Sequence, residues 1–176
     1  MVTEQEKTLE GLQTAIQMEI DGKEFYQKAS QESSHEMGEK LLKQLAAEED
    51  IHRQKFEEIY ETMRSQKTWP KIDYHPDEGR GLRTIFAKAI GEIGINIKAP
   101  ATELDAVKTA MDMESKTYDF YKAQSKNTAY DAARDFYEAL AAQERQHHLV
   151  LLDYYEYLRD PAGWFVNKER PILDGG

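Results

Sequence analysis

Cysteine is absent from the 176 residues. That excludes disulfides, cysteine-ligated zinc, iron–sulfur centres, a rubredoxin-type iron site and any thiol nucleophile. Long apolar runs are missing too, with nothing near the ~18 consecutive apolar residues of a membrane-spanning helix. Basic residues are the minority charge, 23 Lys and Arg against 33 Asp and Glu, for a net −10. Such an excess of acid argues against binding to phosphate backbones or anionic membrane surfaces. The opening Met1-Val2-Thr3-Glu4-Gln5-Glu6-Lys7 has no basic stretch leading into an apolar one, so no secretory signal is visible and the cytoplasm is the expected compartment. What is present, 40% hydrophobic and 32% charged residues, suits a single soluble domain with an apolar core.

The chain repeats itself. Shifted by 95, residues 9–61 align with 104–156 without a gap, and 15 of the 53 pairs are identical. Composition alone would give roughly three. The identities include Met18/Met113, Glu19/Glu114, Phe25/Phe120, Tyr26/Tyr121, Leu45/Leu140, Glu49/Glu144 and His52/His147. Each unit reads as two helices, because apolar residues recur every three or four positions. In the first unit the stripes are Leu12, Ala15, Gly22, Tyr26, Ala29 and Leu42, Leu45, Phe56, Ile59, Met63. In the second they are Val107, Ala110, Tyr121 and Tyr137, Leu140, Leu151, Tyr154, Leu158. Ser33 with Glu36, and Thr128 with Asp131, have capping-box spacing for the second helix of each pair. Pro161 ends the fourth helix.

The spacing therefore predicts an all-α, ferritin-like four-helix bundle over residues 1–160. Antiparallel hairpins occupy 5–63 and 102–159, and a crossover over 65–101 must travel the length of the bundle if a twofold axis relates them. The crossover is rich in turn formers, with one short helical stretch around Leu82–Glu92. Residues 161–176 are expected as a tail packed on the bundle.

At the middle of the apolar seam stand Glu19, Glu49, His52, Glu114, Glu144 and His147. Each Glu-x-x-His pair is spaced i, i+3, so both side chains leave one helix face. Four carboxylates converging in a low-dielectric interior would repel and lose several kcal/mol of hydration each. Two divalent cations cancel that charge and use carboxylates and imidazoles as ligands. One Glu from each of two helices plus Glu-x-x-His from each of the others is the ligand pattern of ferritin-like di-iron and di-manganese proteins. The repeat also sorts the decoys. Glu48 aligns with Gln143, Asp50 with Arg145 and His148 with Arg53, so none keeps its chemistry. Glu48 and Asp50 could orient a ligating imidazole, but a solvated face is their plainer role. Tyr26 and Tyr121 follow Glu19 and Glu114 by seven residues, two turns along the same face. Each is either a seam residue whose hydroxyl finds a buried partner or a catalytic phenol beside a ligating carboxylate. His35 and His75 sit in connections and read as surface residues.

At these residues the sequence resembles the rubrerythrin-like members of the ferritin-like superfamily, over about residues 5–159. The tail from Asp160 to Gly176 looks like that of stand-alone family members. The resemblance implies a non-haem centre of two metal ions that reacts with hydrogen peroxide or O2. Iron is the expected metal, with manganese or a mixed pair as alternatives. It implies Glu49 and Glu144 as bridges, Glu19 and Glu114 as terminal carboxylates, one imidazole on each ion, and a homodimer. Full-length relatives carry a four-cysteine rubredoxin domain. This cysteine-free chain needs an external electron donor, such as a separate rubredoxin. Rubrerythrins also place a further Glu one turn after the helix-three ligand, where this chain has Thr117. The remaining four Glu and two His are similar to the bacterioferritin ferroxidase centre, but Asp50 stands where its haem-binding Met would be. The rival readings are an iron-handling protein that oxidises Fe(II) without peroxide turnover, and a structural bundle with protonated acids.

Overall fold

The computed structural model describes residues 1–169. Among them are six helices and no strand: α1 Glu4–Glu32, α2 Glu36–Gln66, α3 Arg80–Ile93, α4 Ala101–Asn127, α5 Asp131–Arg159 and α6 Pro161–Glu169. The long helices α1, α2, α4 and α5 have 27 to 31 residues, and at 1.5 Å per residue each runs for about 40 Å or more. α1 packs along α2 and α4 along α5, and the two hairpins meet through α1 and α4. This is the ferritin-like helical bundle. No helix among the described residues is long and apolar enough to cross a membrane.

The helix starts differ from expectation in an informative way. Thr3 caps α1 by the reciprocal box: its hydroxyl accepts from the Glu6 amide at 3.1 Å, and Glu6 accepts from the Thr3 amide at 2.7 Å. α2 does not begin at Ser33. Its N-cap is His35, whose Nδ1 accepts the Gly38 amide at 3.0 Å. Ser33 instead closes α1 with an extended backbone, and its hydroxyl donates to Glu103 of α4 at 2.6 Å. Thr128 likewise closes α4, and Tyr130 precedes α5. His35 is therefore no plain surface residue: it is largely buried, with Nε2 3.2 Å from Glu103. A side chain at Gly38 would run into Ser33 and Tyr154, so the cap requires glycine there. His75 is exposed, as expected.

The connection between the hairpins climbs beside α5. Trp69 packs at a tilt against Tyr137, Tyr74 meets the middle of the bundle, and Phe86 of α3 packs against Tyr154 and Tyr157. α3 covers the helical stretch read from the sequence. Asp77 sets its start by accepting from the Gly79 and Gly81 amides, both at 2.9 Å, and Gly79 has the positive φ of 79° that glycine permits. The tail forms a helix, α6, that packs Trp164 and Phe165 on the same end of the core. Residues 170–176, which complete the tail named above, lie outside the described residues.

Two apolar clusters fill the bundle. One gathers Leu41, Leu45, Val107, Ala110, Val150 and Leu151. The other gathers Leu12, Ala15, Phe56, Ile59, Tyr121 and Leu140. On every long helix the polar seam residues fall between the two. The acids and histidines thus form one layer, closed above and below by hydrocarbon.

Candidate metal centre

That layer is dry. Glu19, Glu49, His52, Glu114, Glu144 and His147 are each 3% exposed or less. α1 and α4 supply one Glu each, and α2 and α5 supply a Glu and a His from successive turns. His52 Nδ1 lies 3.0 Å from Glu144 and 3.5 Å from Glu19. His147 Nδ1 lies 3.1 Å from Glu49, 3.5 Å from Glu114 and 3.6 Å from Glu144. The rings lie nearly parallel, 10° apart, with centroids separated by 5.9 Å.

The six residues form two overlapping groups. One is Glu19, Glu49, His52 and Glu144; the other is Glu49, Glu114, Glu144 and His147; in each, one ligand atom per residue lies within 4.8 Å of the rest. Glu49 and Glu144 belong to both. One atom of every member lacks a hydrogen-bond partner: Glu19 Oε2, Glu49 Oε1, Glu114 Oε2, Glu144 Oε1, His52 Nδ1 and His147 Nδ1. Buried orphans are rare in folded proteins, and here they gather at one place. The close N–O approaches lack hydrogen-bond geometry, so these atoms crowd together without pairing. Oxygen and imidazole donors in this number suit divalent transition ions. The residues fit a pair of cations.

Electrostatics agree. Burial pushes the Glu49 carboxyl well above the ordinary range, and Glu19 and Glu114 add repulsion. Burial and the Glu144 charge raise Glu114 to about 8. Burial opposes charge on both imidazoles. Glu19 and Glu144 override it at His52, and Glu114 does so at His147, so both pKa values rise well above the ordinary range. Without a cation the cluster must hold protons to exist, and an incoming cation would displace them.

Around the six, the structure places groups that the sequence flagged and groups it did not. The Tyr26 hydroxyl donates to Glu114, and the Tyr121 hydroxyl donates to Glu19. Each phenol thus serves the carboxylate of the other hairpin. Burial, reinforced by these carboxylates, keeps both phenols protonated. Glu48 is the correction. It is buried, not on a solvated face, and its Oε2 lies 2.6 Å from His147 Nε2. Burial raises its carboxyl, but His147, Gln44 and Gln143 outweigh that and hold it below the usual range. Its repeat mate Gln143 donates to it at 3.0 Å, so the mismatched pair of the alignment meets across the bundle. Asp50 does lie on a solvated face, paired with Lys23 and Arg53 at 2.8 Å each. Tyr74 of the crossover was not foreseen, and its hydroxyl lies 2.9 Å from His52 Nε2. Nothing in its neighbourhood has the periodicity that would have announced it. Thr117 turns its hydroxyl back to the Met113 carbonyl at 3.0 Å, so no seventh acid enters the layer from that turn.

A cleft of about 300 Å³ reaches this layer beside the crossover, lined in part by Glu48, His52, Tyr74, Asp77 and Gln143. A second, of about 280 Å³, reaches Glu114 and Glu144 between α4 and α5.

No curated protein and no solved structure matches the chain. The rubrerythrin family model does match, over residues 10–155, which take in α2 and α4 whole, most of α1 and α5, and every residue of the buried layer. With a ferritin-like bundle closed around paired Glu-x-x-His turns, the chain belongs to the rubrerythrin family, a ferritin-like di-iron family.

Proposed function

We propose that this protein holds two metal ions, with iron as the expected pair, and reacts with hydrogen peroxide or O2 as a rubrerythrin-like peroxidase or oxidase. The observation that carries this reading is the sharing of Glu49 and Glu144 between two four-residue groups of buried ligand atoms. Glu19 and His52 would complete one ion's ligands, and Glu114 and His147 the other's. When bound, the ions would supply Lewis acidity and one electron each to the oxidant. The chain's own residues do the rest. Glu49 and Glu144, common to both groups, would hold the pair together and balance its charge. Tyr26 and Tyr121 orient Glu114 and Glu19 and hold the protons nearest the layer, so they are the candidate proton donors. The apolar clusters on both sides exclude water, which strengthens every charge interaction inside. The proposed electron donor is a separate protein such as a rubredoxin, since these 176 residues hold no cysteine for an iron site of that kind. The family likeness also makes a homodimer the expected working form, with the cytoplasm as the proposed compartment.

A ferroxidase-type, iron-handling role is the second reading. It is favoured by the Thr117 hydroxyl bonding to its own helix, which leaves four Glu and two His as the complete set. Anaerobic Fe(II) loading, followed by peroxide or O2 with near-ultraviolet absorption as the signal, tests both. Faster oxidation by peroxide and repeated turnover with a reductant support the peroxidase. Preference for O2 with a single round of oxidation supports the iron handler.

A further inference from the structure

The repeat implies two equal halves, yet the groups behind the two imidazoles differ. His147 Nε2 faces the Glu48 carboxylate at 2.6 Å, and Gln44 and Gln143 brace that carboxylate at 3.2 and 3.0 Å. Twofold symmetry would put Gln143 behind His52. Instead Gln143 donates to Glu48 and, at 3.3 Å, to Asp77. The place behind His52 is taken by the Tyr74 hydroxyl, brought in by the non-repeated crossover. One imidazole is backed by a buried anion and the other by a neutral phenol. Both rings turn Nδ1 toward the carboxylate layer. A hydrogen bond from the far ring nitrogen to a carboxylate fixes the ring and raises the basicity of the ligating nitrogen, and a phenol does so less.

We propose that the two halves of the centre are inequivalent in affinity: the half built on His147 and Glu114 takes its ion first, and the half built on His52 and Glu19 takes its ion second. Glu48 and Tyr74 are the positioning residues that set this order. The inference rests on the two-ion reading above and adds to it a direction of loading.

Single-half variants test the order free of repulsion between two bound ions. Anaerobic Co(II) titrations, followed by visible absorption and calorimetry, compare His52→Ala, which keeps the His147 half, with His147→Ala, which keeps the other. His52→Ala should bind its ion about tenfold or more tightly than His147→Ala, and adding Glu48→Gln to His52→Ala should erase the advantage. Glu48→Gln in the otherwise intact chain is a second route that leaves all six ligands in place. It should weaken the first binding step by about 10–100-fold and spare the second, whereas Tyr74→Phe should weaken the second only. Equal affinities of the two single-half variants, or equal effects of Glu48→Gln on both steps, overturn the inference and leave the two-ion reading standing. A wild-type chain that takes up no Co(II) overturns both.

Discussion

Tyr121 on α4 donates its hydroxyl hydrogen to Glu19 on α1, across 102 residues of sequence. Tyr26 on α1 returns the arrangement to Glu114 on α4. The hairpins are thus joined by crossed phenol–carboxylate bonds at the level where the carboxylates converge. Replacing Tyr121 or Tyr26 by Phe removes the proton without removing the ring. Each variant should retain its metal but slow peroxide-dependent oxidation by about 10²-fold, the usual scale of a lost proton donor. Stopped-flow absorbance on the Fe(II)-loaded proteins measures this. Unchanged rates in both would leave the phenols a structural role only.

The acid layer should be a weakness of the metal-free protein. Glu49 is buried among Glu19 and Glu114, so the metal-free fold must take up a proton there, and neutral Gln removes that requirement while keeping the shape. Metal-free Glu49→Gln should be more stable than metal-free wild type by about 1 kcal/mol, since uncompensated buried charge is costly. Saturating Mn(II) should reverse the order, because an ion at a hundred times its Kd adds about 2.7 kcal/mol to a protein that binds it. Thermal unfolding with and without Mn(II) reads both effects. A variant less stable under both conditions would contradict the account of the layer.

His35 gives the stability a pH dependence of predictable sign. Burial lowers its pKa, and Glu103 opposes this only in part. The neutral ring is needed in the fold, where Nδ1 accepts from Gly38. The unfolded chain therefore binds the proton first, and stability falls as pH drops below the ordinary histidine value of about 6.5. Glu103 acts in the same direction at lower pH: burial raises its carboxyl, but Ser33, Ser34 and His35 prevail and hold it below the usual range. Urea unfolding at pH 7.5 and 5.5 should show a larger loss in wild type than in His35→Asn, which caps the helix without titrating. At pH 7.5, His35→Ala should cost about 1 kcal/mol, the worth of a cap. An equal loss on acidification in wild type and His35→Asn would remove His35 as the source.

Phe86 anchors α3 through edge contacts with Tyr154, Tyr157 and Trp164. Phe86→Ala should cost about 3 kcal/mol. Hydrogen exchange should quicken in α3 and α6 while metal uptake persists, because both helices pack beyond one end of the acid layer. Lost uptake would mean that the crossover holds the centre together more broadly than through Tyr74.

The bundle and the six inward polar residues were legible because both depend on one period. A helix brings i, i+3, i+4 and i+7 to a single face, and a gapless repeat doubles every signal. Glu48 was misread for the same reason. It sits one residue, about 100° of rotation, from Glu49, and its mate is Gln143, so periodicity and repeat both spoke against it. The packing of α2 near α5 turns that mismatch into a bonded pair. Tyr74 was illegible because a crossover has no period, and its position is set by how the chain climbs past α5. Ser33 and Glu36 had the spacing of a cap, but Glu103, 70 residues away from Ser33, decides where that hydroxyl goes.

The most direct test of the central claim is metal stoichiometry. Anaerobic equilibrium dialysis against Fe(II), followed by elemental analysis, should find about two ions per wild-type chain, the complement expected for four Glu and two His. A folded Glu49→Ala/Glu144→Ala chain, stripped of both shared carboxylates, should retain none. Wild type that emerges empty, or a double variant that loads as fully as wild type, would contradict the account.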